Sequence, residues 1–397
     1  MTSTLKNTKE NQKNSIIYDA LVEKTKYSWD TYSSLPEYLK ESFITYHRHI
    51  KSLEGYVREE VIKRPEISVE LHAKIYEVFL NYLQGKLPKA YDLMSESFNL
   101  VKDILTQRSE RLKKTDGQNA KFVFKARVQR EGRAPFSSRK DMFHIPFEER
   151  HIVKGQRFSI HGVPSVYLGE SIYDCYLELG KPDLDKFWVS LFYFPLTNGI
   201  KLMDLTFANQ RHSTGLIIWQ AKEDDSKYRD TLDELVQDIL LWPLIMACSI
   251  VCRFPDAPFK QEYIIPQMLY QLCSAENEFN GVRYYSTKLD EQNRITLQNS
   301  MINYALPAQD IKISGYCPYL ASRLRLTEPI TAKHCNDKKI ESMHGYTTFG
   351  FHIISKKCNA LKDDEIVLAL DRMTMYFNQL VLEEMKTQDF RLMPVIE

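Results

Sequence analysis

The sequence predicts an α+β protein, and three observations carry that reading. Between Ser15 and about Lys114 apolar residues recur at helical spacing. Leu71, Ile75, Val78, Phe79 and Tyr82 form one stripe, and Met94, Phe98, Val101 and Leu105 form the next. From about residue 120 to 330, short β-branched and aromatic runs stand between turn residues: Phe122–Val128, Val163–Leu168, Phe187–Phe194 and Gly281–Ser286. Helical spacing returns near the C-terminus, where Ile366, Leu370, Met373, Phe377, Leu380 and Val381 line one face of a helix from Asp363 to about Lys386. Strands gathered in the middle, with helices at both ends, predict a mixed sheet core with an all-helical N-terminal region and a C-terminal helical extension.

The whole chain sets bounds on function. Its 397 residues suffice for two domains, or for one domain with helical additions. A formal net charge of +1 gives no electrostatic reason to expect nucleic acid or an acidic membrane as partner. Seven cysteines, an odd number without disulfide-like spacing, point to a reducing, cytoplasmic setting. The first ten residues hold no apolar signal-like core, and the apolar run Ile239–Cys252 is too short to span a bilayer and contains Pro243.

Taken in order, residues 1–14 are polar and lysine-rich, and a disordered tail is expected. Residues 15–114 read as four or five helices, with breaks at Pro36, Pro65, Gly85 and Pro88. Nothing in them carries chemistry. They fit a small helical domain packing on the rest of the chain, or a module for dimerisation or partner binding. Lys113–Ala120 is turn-rich and reads as a linker. In the next strand, alternation places Phe122, Phe124 and Ala126 on one face and Val123, Lys125 and Arg127 on the other. Residues 133–150 are loop-like, and Phe143-His-Ile-Pro-Phe147 is a candidate wall for a pocket.

Residues 155–178 read as strand, turn, strand, helix. Gly162 and Pro164 mark the turn, Ser171 and Asp174 form a capping-box pattern, and Gly180 stands where a helix over Ile172–Leu179 would stop. Glu178 then falls in the last helical turn, where a carboxylate meets the negative end of the helix dipole at a cost of about 0.3–1 kcal/mol. Further strands are expected at Lys201–Leu205, Ile311–Ser314 and Leu324–Ile330, and a helix at Tyr263–Cys273. Residues 205–255 read as a mostly helical insertion, whose charged run Lys222–Asp230 fits a solvated loop.

Two blocks carry a resemblance. The first is Arg157-Phe158-Ser159, then Gly162-Val-Pro-Ser-Val-Tyr167-Leu-Gly, then Glu178. The second is Tyr263-Ile-Ile-Pro-Gln-Met-Leu-Tyr270, then Phe279-Asn-Gly-Val-Arg-Tyr-Tyr-Ser286. In this order they resemble the RES domain family, named for an arginine, a glutamate and a serine. The resemblance covers about residues 120–330. It implies an ADP-ribosyltransferase-like fold acting on NAD+, with cleavage of the bond between nicotinamide and ribose. Glu178 would stabilise the cationic sugar at the barrier. Ser286 would hold the ribose or the amide, and Tyr167 would stack on nicotinamide or bond the ribose. Arg127 and Arg157 would bind the pyrophosphate, with Arg130 and Arg133 close to the register of Arg127. No metal is implied.

Each of these residues also has a plain structural reading: a surface acid for Glu178, surface ion pairs for the arginines, a core position for Tyr167. Ser286 lacks the histidine and acid of a nucleophilic triad. No Gly-x-Gly-x-x-Gly, P-loop or His-Glu-x-x-His pattern is present. Cys248 and Cys252 read as core, and His144, His151 and His161 lack ligand spacing. Three functions remain open. One is an NAD+ hydrolase or phosphorylase acting as a bacterial toxin or defence effector, which the resemblance favours. The others are an ADP-ribosyltransferase and a non-enzymatic assembly protein. Such a toxin would have a separately encoded antitoxin or defence partner as inhibitor, and the N-terminal helices would serve a homo-oligomer. The domain plan is therefore a helical region at 15–114, a catalytic domain at 120–330 and an extension at 331–397 packing on the core.

Overall fold

The computed structural model describes residues 2–24, 29–115, 120–195, 200–207, 226–276, 278–288, 301–309, 312–336, 364–387 and 393–394. Its helices in chain order are α1 (Thr2–Lys24), α2 (Leu35–Lys51), α3 (Gly55–Ile62), α4 (Leu71–Leu83), α5 (Leu87–Thr115) and α6 (Ile172–Glu178). They continue with α7 (Ser226–Ser249), α8 (Ile264–Glu276), α9 (Pro318–Arg323), α10 (Ala332–Asn336) and α11 (Asp364–Thr387). The strands are β1 (Ala120–Val128), β2 (Ser165–Gly169), β3 (Phe187–Pro195), β4 (Leu202–Asp204), β5 (Gly281–Tyr285), β6 (Ile302–Pro307), β7 (Arg325–Leu326) and β8 (Met393–Pro394). The fold is mixed α+β. Among the described residues no helix is long and apolar enough to cross a membrane.

The chain divides into two compact units. The first comprises Met1–Arg108, Gln156–Phe158 and Met203–Glu276, and the second Ser109–Gly155, Ser159–Leu202 and Asn277–Glu397. This differs from the expected plan. The segment read as an insertion belongs with the N-terminal helices, because α7 is buried along nearly all of Leu235–Ser249 and draws its partners from them. Trp242 stacks on Tyr46 at 5.1 Å and donates its indole N–H to the Leu21 carbonyl at 2.7 Å. The Tyr46 hydroxyl donates to the Ile239 carbonyl at 3.1 Å.

Of the expected tail at 1–14, residues 2–14 instead form the start of α1, where the Asn14 amide exchanges hydrogen bonds with the Glu54 backbone at 2.9 and 3.0 Å. Pro88 does not end a helix. It sits in the first turn of α5, where a missing N–H costs nothing. Of the expected linker, residues 113–115 continue α5, Ala120 opens β1 and 116–119 lie outside the described residues.

Arg108 is a buried charge of this first unit. It bonds the Asp238 carboxylate and the Thr206 carbonyl, and Asp204 lies 3.9 Å away. Tyr18 donates to the other oxygen of Asp238 at 2.8 Å. Burial alone would lower the Arg108 pKa, but the two carboxylates outweigh it and hold the pKa above its ordinary value.

In the second unit the strands lie in the order β5-β6-β2-β1-β3-β7-β8. β1 and β3 pair antiparallel over nine residues, from Ala120 opposite Pro195 to Val128 opposite Phe187. β2 and β6 pair from Ser165–Pro307 to Gly169–Asn303, and β5 joins β6 with Tyr284 opposite Asn303. One face is apolar: Phe124, Phe187, Val189 and Leu191 pack with Ile172, Tyr176 and Leu177 of α6 and Leu370, Met373 and Phe377 of α11. Phe124 meets the Phe377 ring at 5.7 Å. Alternation then sends Lys125, Arg127 and Ser190 to the other face.

Residues 153–164 form no strand, so the first strand expected before β2 is absent. β6 was not anticipated. Of Ile311–Ser314, Ile311 lies outside the described residues and the rest forms no strand. Leu324–Ile330 supplies β7 and a bridge from Ile330 to Val189. The charged run at 222–230 is helical from Ser226 and otherwise lies outside the described residues.

Replacing Arg108 by methionine should remove the counter-charge that it supplies to two buried carboxylates. Breaking a buried pair in this way costs about 3–5 kcal/mol. Urea unfolding of Arg108→Met should show that loss, and an unchanged midpoint would refute the assignment.

Candidate functional site

Glu178 is placed by the two ends of α6. At the start, Asp174 N–H donates to the Ser171 hydroxyl oxygen at 3.0 Å, and Ser171 N–H donates to the Asp174 carboxylate at 3.0 Å. This is the capping box read in the sequence. At the end, Gly180 N–H bonds the Leu177 carbonyl and Lys181 N–H the Tyr176 carbonyl, each at 3.0 Å. That pair is a Schellman closure, and it needs the left-handed backbone that Gly180 takes at φ +79°. The helix lies close against β2. A Cβ on Gly169 would come within 2.8 Å of Cys175 Sγ, so with Cys175 in place glycine permits this approach.

The Glu178 carboxylate is half-buried and held by two donors. The Ser286 hydroxyl donates to Oε1 at 2.5 Å, and the Asn303 amide donates to the same oxygen at 2.6 Å. Both donors are buried, with Ser286 at 0% and Asn303 at 4% exposure. Ser286 follows β5, and its N–H bonds the Met301 carbonyl at 3.0 Å, which carries the ladder one step further. Its hydroxyl oxygen accepts from Lys288 N–H at 3.3 Å. Glu178 Oε2 has no hydrogen bond among the described residues. These two charge-assisted bonds offset the unfavourable end of the helix dipole.

Asn303 was missed in the sequence because it lies on β6, the strand that alternation did not reveal. Tyr167 is half-buried on β2, opposite Ala305. It is two residues from Gly169, which pairs with Asn303, and so shares the face that carries Asn303 and Tyr284.

The arginines take other places. Arg127 points to the opposite face of the sheet from α6. Its guanidinium bonds the Asp141 carbonyl and lies over the Phe136 ring at 5.3 Å. Burial lowers its pKa. Arg157 belongs to the first unit, where it is 6% exposed. It donates to the Cys248 and Ile250 carbonyls at 3.0 and 2.8 Å and stacks over Tyr263 at 4.9 Å. In that unit it holds the carbonyls at the end of α7.

Beside Arg127, Lys125 is buried opposite Ser190, and its pKa is pushed down to about 7 by burial first and then by Arg127. His144 accepts from Cys317 N–H at 2.8 Å through Nε2, and its Nδ1 bonds the Ile145 carbonyl at 2.7 Å. Burial pushes its pKa down to about 4, so the imidazole is neutral. His151 and His161 are exposed. Among the described residues no group of three His, Cys, Asp or Glu is arranged to hold a metal ion.

No protein-family model matches the chain, and no solved structure matches it. Among curated proteins it is similar to "Putative toxin YopC" of Bacillus subtilis (strain 168), with 32% identity over 253 residues. The match covers 63% of this chain and 55% of the relative, so the chain spans about half the length of the curated relative it matches.

The arginine and lysine placements can each be tested. Arg157→Ala should destabilise the fold by on the order of 3 kcal/mol, since hydrogen bonds to charged groups contribute about 1.5–3 kcal/mol each. Chemical denaturation measures it, and an unchanged midpoint would leave its carbonyl contacts without energetic weight. For Lys125, an ordinary lysine stays protonated up to about pH 10.4, so between pH 7 and that value the folded chain binds fewer protons than the unfolded one. Its burial therefore costs stability fully below about pH 7, and the cost fades as pH rises to the unfolded value. Lys125→Met should stabilise the protein at pH 6 and flatten the rise in stability above pH 7. Parallel pH dependences for variant and wild type would contradict it.

Proposed function

We propose that the chain is an NAD+-cleaving enzyme of toxin-like character, which breaks the nicotinamide–ribose bond with Glu178 as the catalytic carboxylate. The observation that carries the reading is the fixed Glu178 side chain, tied through one oxygen by two donors and, among the described residues, without a hydrogen bond at the other. Two further lines support it. The motif residues resemble those of the RES family, and the Bacillus subtilis relative carries the name of a toxin.

The chemistry suits a single carboxylate. Hydrolysis of an ordinary glycoside uses two, because the leaving oxygen must be protonated as it departs. The nicotinamide of NAD+ is a pyridinium, and it leaves as a neutral base when the bond pair moves to its ring nitrogen. No general acid is required. Positive charge collects on the ribose C1, and a carboxylate beside it is attractive there while having little to act on in the neutral ground-state sugar. Interactions of this kind accelerate the step because they strengthen at the barrier. Water then bonds to C1, its proton passes to solvent, and ADP-ribose and nicotinamide are the products.

Ser286 has the role of a donor to Glu178, since its O–H is committed to that carboxylate and its oxygen accepts from Lys288 N–H. Among the described residues no contact supports a nucleophilic role for it. Tyr167, on the sheet face that carries Asn303, would offer an aromatic surface to the nicotinamide ring.

Glu178→Gln keeps the shape and deletes the charge. Purified variant and wild type, compared for NAD+ consumption, should differ by about 10²–10³ in kcat, with a smaller change in KM. Free ADP-ribose identifies hydrolysis, ADP-ribose-1″-phosphate in phosphate buffer identifies phosphorolysis, and labelled protein identifies transfer. Equal rates in the two proteins would overturn the mechanism.

A further inference from the structure

Asn303 has no part in the motif that contains Glu178, yet it makes one of the two bonds that hold the carboxylate. A carboxylate can only accept, so the Asn303 amide must turn its NH2 toward Glu178. That bond and the Ser286 bond end on the same oxygen, Oε1, at 2.6 and 2.5 Å. The two donors come from neighbouring strands: Asn303 from β6, and Ser286 from just past β5. A side chain tied at one oxygen from two strands cannot rotate about its last bond without breaking both contacts.

We infer that Asn303 is a positioning residue that, with Ser286, consumes Glu178 Oε1 and thereby assigns Oε2 as the oxygen that meets the sugar cation. The inference rests on the proposed role of Glu178 and says which atom performs it. The amide is poised to act on the rate of bond breaking rather than on substrate affinity, because its contact is with the catalytic carboxylate and not with the parts of NAD+ that bind remotely. Misplacing a reacting group by about 1 Å can cost 10²-fold in rate.

The test is a double-mutant cycle in NAD+ cleavage, with wild type, Asn303→Ala, Glu178→Gln and the double variant. Asn303→Ala should lower kcat by about 10- to 100-fold with KM nearly unchanged. In the Glu178→Gln background the same substitution should cost less than about 2-fold, since a residue acting through Glu178 has nothing left to position. Additive losses, or an unchanged kcat in folded Asn303→Ala, would overturn the inference while leaving the NAD+ reading intact. Asn303→Leu, which keeps much of the volume and removes the donor, serves if the alanine variant fails to fold. Crystal structures of wild type and the Asn303 variant give a readout independent of substrate. The Glu178 carboxylate should leave its single position in the variant. One unchanged, well-ordered position would refute the role of Asn303, even if wild type cleaves no NAD+ and the substrate reading fails.

Discussion

The second unit depends on the burial of one short helix against one face of the sheet. Ile172, Tyr173, Tyr176 and Leu177 of α6 enter a core with Phe124, Val189 and Leu191. Burying each such side chain stabilises by about 1.5–3 kcal/mol. The misplaced charge of Glu178 against the helix dipole costs at most about 1 kcal/mol. Packing therefore wins with a wide margin, and the acid is carried to the sheet whether or not the helix favours it locally. What α6 does not supply is the donors. Those come from the two strands on the far side of β2, and only a helix seated at this depth brings its last turn to them.

Much of this arrangement was legible. The capping box at Ser171, the stop at Gly180 and the length of α6 come from local chemistry, and local chemistry is what a single sequence displays. So do the two faces of β1, where Phe122, Phe124 and Ala126 part from Val123, Lys125 and Arg127. β6 stayed hidden for a physical reason. Ile302–Pro307 is buried along its whole length, so it shows no alternation of apolar and polar residues, and Asn303 is a polar residue inside it. Besides β5, its partner is β2, more than a hundred residues earlier in the chain, and no local signal reports a pairing of that kind. The grouping of α7 with the N-terminal helices was missed because a helix that is apolar all round says only that it is buried, not by what.

The arginines teach a separate lesson about reading charge. A guanidinium in a motif invites an anion as partner, yet Arg157 donates to two carbonyl oxygens and stacks on an aromatic ring, and Arg127 donates to a carbonyl and lies over another ring. Five fixed N–H groups let arginine close off helix ends and turns as readily as bind phosphate. Arg127 and Lys125 also sit together on the face away from α6. Their repulsion adds to burial in holding the lysine near neutrality.

The bare backbone at Gly169 has a consequence for how such a chain can vary. A methyl group there would meet Cys175 Sγ at 2.8 Å and the Ser171 carbonyl at 3.3 Å. The first of these atoms belongs to the helix that carries Glu178 and the second to its N-cap, so any added atom acts as a wedge beneath the acid. Positions 169 and 175 are thus coupled by volume. A variant with alanine at 169 could keep the carboxylate in register only by surrendering the sulfur at 175, and a library randomised at both sites should return stably folded pairs in which one is small whenever the other is not.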